Sequence, residues 1–513
     1  MNSKNNELEK KLWEAAEQLR ANSELKSYEF AFPVLGLIFL KYADYKLSLV
    51  EKSFKTLPSN IKIICKSNGV LYLTKRSRFS ELMKHPQSED IGQEINNAMS
   101  LIESENYELM DILPKNFNKL DNSTLFKLMK ILSSITMDIE GDVFGKIYEY
   151  FLGKFAMSEG RKGGEFFTPV SIVKLIVEII EPFQGRLFDP ACGSGGMFIQ
   201  SARFISKRKK LTDKISIHGQ EKNSETVRLC KMNLAIHCIT GDIRQGNTYY
   251  EDLHGSISKF DFVMANPPFN VNSVDKEKIK NDQLHFPFGL PNIDNANYLW
   301  IQLIYSALND NGRAGFVMAN SASYGRTSEL EIRKKLIKTK DVDVIISIGV
   351  NFFYTVSLSC TLWFLDKGKK STDRADKVLF IDASKIYEQI DRIHRGFTDE
   401  QVEFLANIVK LYRDENLESF NRDNELFKKH FLNCKYIDIP GFCKVASIEE
   451  IEDNDYSLDP SRYVGYAKTK KNKDHEYQLR LKKLHEELEI MNSESKILED
   501  QILKNISRLI VGF

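Results

Sequence analysis

One stretch constrains the fold of this chain more than any other: Arg186-Leu187-Phe188-Asp189-Pro190-Ala191-Cys192-Gly193-Ser194-Gly195-Gly196. A short apolar strand runs straight into glycines, and a helix is expected from Met197. Glycine permits positive φ and lets a ligand approach the backbone closely. The next strand, over 215–220, ends at Glu221, and after a helix the segment 239–244 leads to Gly246-Asn247-Thr248. Strands alternating with helices in this way predict an α/β fold with a largely parallel sheet, whose ligands sit beyond the carboxyl ends of the strands.

Two details separate this loop from a dinucleotide fingerprint. There is no third glycine at the Gly-x-Gly-x-x-Gly spacing, and Asp189 stands four residues before Gly193. Asp189 suits a cationic amino group better than a pyrophosphate. An acid ending the second strand can accept both hydroxyls of a ribose, which is the role open to Glu221. Asn247 could contact an adenine edge. Taken singly, Glu221 and Asn247 read equally well as a surface acid and a turn residue; their order behind the glycine loop favours the functional reading. No Gly-x-x-x-x-Gly-Lys-[Ser/Thr] loop occurs, which argues against an ATP-driven motor in this chain.

A second constellation follows the apolar run Phe260-Asp261-Phe262-Val263-Met264-Ala265, where Asn266-Pro267-Pro268-Phe269 stands at the mouth of a buried strand. The two prolines fix φ and remove two donors, leaving carbonyls and the Asn266 amide held outward. Such a pocket can accept both hydrogens of an exocyclic amino group on the Asn266 oxygen and the Pro267 carbonyl, while Phe269 stacks on the ring. That chemistry suits a flipped-out adenine. Taken alone, a Pro-Pro pair is more often a plain loop after a strand. Cytosine C5 chemistry would need a cysteine nucleophile, commonly in a Pro-Cys pair. None of the cysteines at 65, 192, 230, 238, 360, 434 and 443 follows a proline.

The 513 residues allow roughly three domains. With 72 basic and 71 acidic residues, the net charge of +1 supplies no global attraction to nucleic acid, so DNA contact rests on local basic patches or a basic partner. Clusters at 207–210 and 468–473 are candidates, although each reads more simply as solvated surface. An odd cysteine count without Cys-x-x-Cys, and nine histidines without ligand spacing to the cysteines, favour reduced thiols in a cytoplasm and indicate no metal. The N-terminus lacks an apolar signal region, and the apolar run over 30–40, interrupted by Pro33, is far shorter than the roughly 20 residues of a membrane span. The expectation is a cytoplasmic protein with no membrane segment.

Residues 1–150 read as helical, with helices at 8–19, 35–49, 94–101 and 124–132 and little chemistry of their own. A basic glycine-rich loop, Gly160-Arg161-Lys162-Gly163-Gly164, precedes Glu165-Phe166-Phe167-Thr168-Pro169 and an amphipathic helix carrying Ile172, Leu175, Ile176, Ile179 and Ile180. Thr168 and Pro169 open that helix, whose N-terminus attracts a carboxylate. Further strands are expected at 314–319, 343–348 and 361–365, with a helix over 298–308 and a helix over 329–340 whose largely charged side reads as a solvated face. Phe352 and Phe353 read at least as well as core as they do as base-pocket walls. Beyond 370 the chain turns helical and mixed. At the end, Tyr477, Leu481, Leu484, Leu488, Met491, Ser495, Leu498, Ile502, Asn505 and Leu509 form a heptad seam that needs a partner helix, either another chain's or the chain's own helical domain.

At this point the chain resembles the modification (methyltransferase) subunits of type I restriction-modification systems, adenine N6-specific DNA methyltransferases. The resemblance rests on Phe167-Thr168-Pro169, the Asp189–Gly196 loop and Asn266-Pro267-Pro268-Phe269 in that order, and extends to Phe380-Ile381-Asp382-Ala383-Ser384 and Tyr456-Ser457-Leu458-Asp459-Pro460-Ser461-Arg462-Tyr463. It implies a Rossmann-like S-adenosylmethionine-dependent methyltransferase sheet with a helical N-terminal domain and a helical C-terminal tail. The divisions expected are 1–150 (helical), 151–370 (catalytic), 371–467 (helical and mixed extension) and 468–513 (heptad helix for subunit contact). S-adenosylmethionine would be held by Glu165, Phe166, Phe167, Thr168, Pro169, Asp189, Ala191, Gly193, Ser194, Gly195, Glu221 and Asn247, and the target adenine by Asn266, Pro267, Pro268 and Phe269. Asn247 stands where related enzymes often carry an acid. The implied partners are double-stranded DNA, a specificity subunit shared by two methyltransferase subunits, and in some complexes a restriction and motor subunit. Rival readings are a methyltransferase acting on RNA or on a protein glutamine, and a non-catalytic scaffold that has kept the fold. The helical domain and heptad tail argue against the first, and Asp189, Glu221 and Asn266 against the second.

Overall fold

The computed structural model describes residues 12–14, 16, 17, 20, 27–56, 58–86, 90–134, 148, 150, 151, 168–208, 214–292, 294–353, 359–392, 394–415, 431, 435–465, 485, 495 and 499. The heptad seam, the glycine-rich loop at 160–164 and the cluster at 468–473 lie outside them, apart from Ser495.

The N-terminal region is helical. Its principal helices are α1 (Ser27–Lys52), α2 (Ile91–Glu105) and α3 (Asn122–Ser133). α1 is longer than the sequence pattern suggested and contains Pro33. The hydrogen bond lost at that proline is offset by the burial of Val34, Leu35, Leu37, Ile38, Phe39 and Leu40. Asp90 and Asp121 cap α2 and α3 by accepting from Gln93 N and Thr124 N, satisfying donors that a helix start leaves open.

The α/β unit opens with α4 (Val170–Ile180) and continues through β1 (Gly185–Asp189), α5 (Gly196–Lys207), β2 (Ile215–Glu221), α6 (Ser224–Ile236), β3 (Gly241–Gln245) and β4 (Phe260–Ala265). After these come α7 (Asn297–Ala307), β5 (Leu308–Ala319), α8 (Ser328–Lys338), β6 (Val342–Ile348), β7 (Cys360–Asp366), β8 (Lys377–Asp382), α9 (Asp399–Arg413) and β9 (Cys443–Ser447). Nine strands form one sheet in the order β9-β8-β6-β7-β5-β4-β1-β2-β3. β1 to β5 are mutually parallel, and β6 is parallel to β8; β7 and β9 run against their neighbours. The order reverses between β1 and β4, so their carboxyl ends diverge into the crevice where open α/β sheets bind ligands. Asp189 and Asn266 stand at those two ends.

One expectation needs refinement. The stretch beyond 370 reads as helical and mixed, and within it β8 and β9 extend the sheet. Short strands separated by some sixty residues carry too little local pattern to be read as partners. The charged side of the helix after β5 is solvated as expected, with Glu331, Lys335 and Lys338 exposed, but two of its charged residues turn inward. Glu329 and Arg333 are buried, and Arg333 donates to the carbonyls of Tyr456 (2.7 Å) and Gly325 (2.8 Å) and bonds the Tyr298 hydroxyl (3.1 Å). The guanidinium ties α8 to chain more than a hundred residues later, which no local periodicity reveals.

The helical region and the sheet unit meet at α6. Met232 and Ile236 join the N-terminal apolar cluster, and Arg228 donates to the carbonyls of Ile112 (2.8 Å) and Leu113 (2.9 Å).

Candidate active site

β1 carries its terminal carboxylate into the switch-point crevice. Asp189 is 2% exposed, and its Oδ1 accepts from the Ala191 N–H at 3.0 Å. Burial pushes the Asp189 carboxyl up to about 8; the Ala191 bond opposes the shift and the neighbouring Glu221 charge adds to it. A buried acid beside a second acid calls for a cation.

The glycine loop is shaped for close approach. Gly193 has φ +51, and a Cβ built there or at Gly196 would meet nothing within 4 Å. Gly195 serves a different purpose. At φ +81 it caps α5, and its missing side chain makes room for the Cys230 sulfur, 2.9 Å from where a Cβ would stand. The loop is fastened to β2 by Cys192 N donating to the Gln220 carbonyl (3.1 Å) and Gly193 N donating to Glu221 Oε2 (3.2 Å). Glu221 Oε1 accepts from Asn223 N at 2.9 Å. The carboxylate therefore orients the loop while keeping further lone pairs for hydroxyl donors.

Asn247 lies beside this loop, since Gly246 N donates to the Glu221 carbonyl (3.0 Å) and Thr248 Oγ1 to the Pro190 carbonyl (2.6 Å). Its own Oδ1 accepts from Tyr249 N (3.2 Å) and its N–H donates to Glu251 Oε2 (2.7 Å). This is the geometry of a turn residue.

At the end of β4, Asn266 Nδ2 donates to Thr168 Oγ1 at 2.8 Å, across 98 residues of sequence. That bond commits the amide nitrogen and fixes which end of the group is the acceptor. Thr168 is not the helix cap. Pro169 occupies that position, one residue later than expected, which leaves the Thr168 hydroxyl to Asn266. Pro267 is buried and Pro268 half-buried. Phe269 is 9% exposed and meets the Phe353 ring edge to face at 6.3 Å. Phe352 and Phe353 are both core residues.

One cleft is lined by Thr168, Asp189, Ala191, Gly193, Ser194 and Asn266 together. Gly195, Glu221 and Asn247 flank it through the bonds above, while Glu165, Phe166 and Phe167 lie outside the described residues. Asn233 also lines the cleft and escaped the sequence reading. It is 1% exposed and donates from Nδ2 to the Ser194 carbonyl (2.9 Å), and its buried Oδ1 has no hydrogen-bond partner among the described residues. The signal was an asparagine among the buried apolar positions Val227, Cys230 and Leu234 of α6. Cys192 lines the cleft as well, but its hydrogen bond with Cys230 and its burial hold the thiol well above its ordinary pKa. A neutral, buried thiol is a poor nucleophile.

Comparison with known proteins places this cleft in a chain with well-defined relatives. Residues 139–472 match the family described as N-6 DNA Methylase, and residues 8–132 match the HsdM N-terminal domain. The chain is 36% identical over 535 residues to the Type I restriction enzyme MjaIX methylase subunit of Methanocaldococcus jannaschii, covering 98% of this chain and 91% of that protein. It is 34% identical over 392 residues to the HindI methylase subunit of Haemophilus influenzae, covering 74% and 83%. The crystal structure of the type I restriction-modification system methyltransferase subunit from Streptococcus thermophilus superposes with a TM-score of 0.72 at 25% identity, covering 90% of this chain and 99% of that one.

Proposed function

The chain belongs to the N-6 DNA methylase family, among the methylase subunits of type I restriction enzymes, and from that premise we propose that it methylates N6 of an adenine flipped out of double-stranded DNA. S-adenosylmethionine is the donor, and a separate specificity subunit chooses the site. The observation that carries this reading is the single cleft shared by Asp189, the glycine loop and Asn266.

The residues fit such a donor. The Asp189 acid awaits a cation, as the amino group of the methionine end provides. The open cradle at Gly193 and Gly196 admits a ligand against the backbone, and the N-terminus of α4 at Thr168 and Pro169 suits its carboxylate. Ala191 and Ser194 complete the wall, and Glu221, with lone pairs left over from its loop contacts, takes the ribose hydroxyls in this reading. Asn247 contributes mainly by holding the turn that faces Glu221, and Glu165 to Phe167 are assigned from the resemblance alone. When bound, S-adenosylmethionine supplies an electrophilic methyl on a sulfonium.

The protein's work is orientation. The lone pair of an adenine amino group is delocalised into its ring, which makes it a poor nucleophile. Asn266 Oδ1 and the Pro267 carbonyl accept its two hydrogens and localise that lone pair for in-line attack. Thr168 positions the amide, Pro267 and Pro268 stiffen the carbonyls, and Phe269 stacks on the base. Asparagine is no strong base, so the proton leaves after methyl transfer.

The assembly proposed is two such subunits with one specificity subunit on DNA in the cytoplasm, joined in some complexes by a restriction and motor subunit. In the proposed division, 1–150 is a helical packing domain, 151–370 with its extension 371–467 is catalytic, and the heptad segment 468–513 docks on the specificity subunit. No helix among the described residues is long and apolar enough to cross a membrane. Transfer of labelled methyl from S-adenosylmethionine to DNA, with and without a specificity chain, tests the reading. Incorporation at adenine N6 that needs both chains supports it, and no incorporation by the full complex overturns it.

A further inference from the structure

Sequence spacing indicates no metal, yet the fold gathers a ligand set away from the cleft. His218 on β2, Asp242 on β3 and His254 in the segment after β3 each bring one ligand atom within 4.8 Å of the others. His218 and Asp242 are direct partners in the parallel β2–β3 pairing, so their side chains share a face of the sheet. The Phe260 ring, 5.3 Å from His218, and the Phe188 ring, 5.6 Å from His254, wall the site on its inner side.

The hydrogen bonds leave the Nδ1 atoms of the two histidines bare. His254 Nε2 lies 3.0 Å from the Gly219 carbonyl, which can only accept, so Nε2 carries the proton. Nδ1 of the neutral ring is then a lone pair, and it faces Asp242 Oδ2 at 3.6 Å, beyond hydrogen-bond distance. Two acceptors therefore face each other there, and the His254 side chain is 1% exposed. His218 repeats the pattern. Nε2 is 2.9 Å from Ser216 Oγ, and Nδ1 is buried with no hydrogen-bond partner among the described residues. A histidine with one ring nitrogen held by a carbonyl or hydroxyl and the other bare is the usual arrangement of a metal ligand and its outer support.

We propose that His218, Asp242 and His254 bind a divalent transition-metal ion, Zn2+ in particular, through the two Nδ1 atoms and one Asp242 oxygen. Imidazole and carboxylate suit that ion, and three protein ligands leave a fourth position for water. Entry is past Asp242, whose side chain is 41% exposed. Arg244 bonds both Asp242 oxygens (3.0 and 2.7 Å), and Lys259 donates to the His254 carbonyl. These cations make the site weaker than a closed structural zinc site, and the carboxylate binds the ion through lone pairs that Arg244 does not use. The ion staples the segment after β3 to the sheet.

The test uses the full-length chain, stripped with a chelator and titrated with Co2+ as a spectroscopic probe and with Zn2+ against a chromophoric competitor. Among the variants, His218→Gln should abolish the visible spectrum of nitrogen-bound Co2+. Ser216→Ala, at an exposed position, should weaken Zn2+ binding by about tenfold or more through loss of outer support. Binding of one ion per chain with these two losses supports the proposal. No stoichiometric ion, or equal affinity in wild type and both variants, overturns it, and the close approach of His254 and Asp242 is then an ion pair of the protonated ring.

Discussion

The acid at the end of β1 makes donor binding a proton-release reaction. Its carboxyl sits at about 8 where an ordinary aspartate has 3.8, because it is buried. A ligand ammonium needs the ionised form. At pH 7 the neutral form outnumbers the ionised one by about ten to one, so each pH unit below 8 costs about 1.4 kcal/mol of binding and raises Kd about tenfold. Above pH 8 the ligand's own amino group, with an ordinary pKa of about 7.7–8.0, loses its charge, and affinity peaks close to pH 8. Calorimetric titration with S-adenosylmethionine or a stable analogue between pH 6 and 9 reads this directly. Measured in two buffers of different ionisation enthalpy, it should also report about one proton released per ligand at pH 6. Asp189→Asn should bind weakly at every pH and lose the slope below pH 8. A Kd independent of pH between 6 and 8 without proton release, or a slope that survives in the variant, would refute the role given to Asp189.

Four further outcomes are expected. The raised carboxyl favours the folded state fully only below its unfolded pKa near 3.8, and that contribution is lost as pH rises from there through about 8. Asp189→Asn should therefore unfold at higher temperature than wild type at pH 9, by a margin on the order of a few kcal/mol; a variant less stable at pH 9 would contradict this. Asn266→Ala should lower methyl transfer by about 100-fold or more with donor affinity nearly unchanged, whereas equal loss of both, in transfer and calorimetric assays, would contradict its assignment to the base. Gly195→Ala should cost about 1–3 kcal/mol in denaturant unfolding, because of φ +81 and the Cys230 contact. Gly193→Ala, with open space before it, should lower donor affinity more than its own backbone strain lowers stability, and the reverse order would count against the cradle.

What the chain discloses before folding is the part written in contiguous residues. The strand into the Asp189–Gly196 loop and the strand into Asn266-Pro267-Pro268-Phe269 each combine an apolar run with residues of restricted or unusual backbone freedom, so both ends of the cleft were legible. The features that escaped notice depend on chain far away. Asn233 reads as an ordinary polar helix position until α6 packs behind Ser194. Thr168 reads as a helix start until β4 delivers Asn266 to its hydroxyl. Arg333 reads as one more charged position of its helix until Tyr456 and Gly325 offer it carbonyls. β8 and β9 find each other across a long helix, and His218, Asp242 and His254 converge only because β2 pairs with β3. In each case the decisive partner is tertiary.

The central claim is that one cleft brings a methyl donor to the amino group of an adenine. Its most direct test is the nucleoside composition of DNA after incubation with this chain, a specificity subunit and S-adenosylmethionine. The account predicts N6-methyladenine as the methylated base, absent when Asn266→Ala replaces the wild type. Methyl groups found on cytosine or on protein, or N6-methyladenine formed undiminished by the variant, would contradict it.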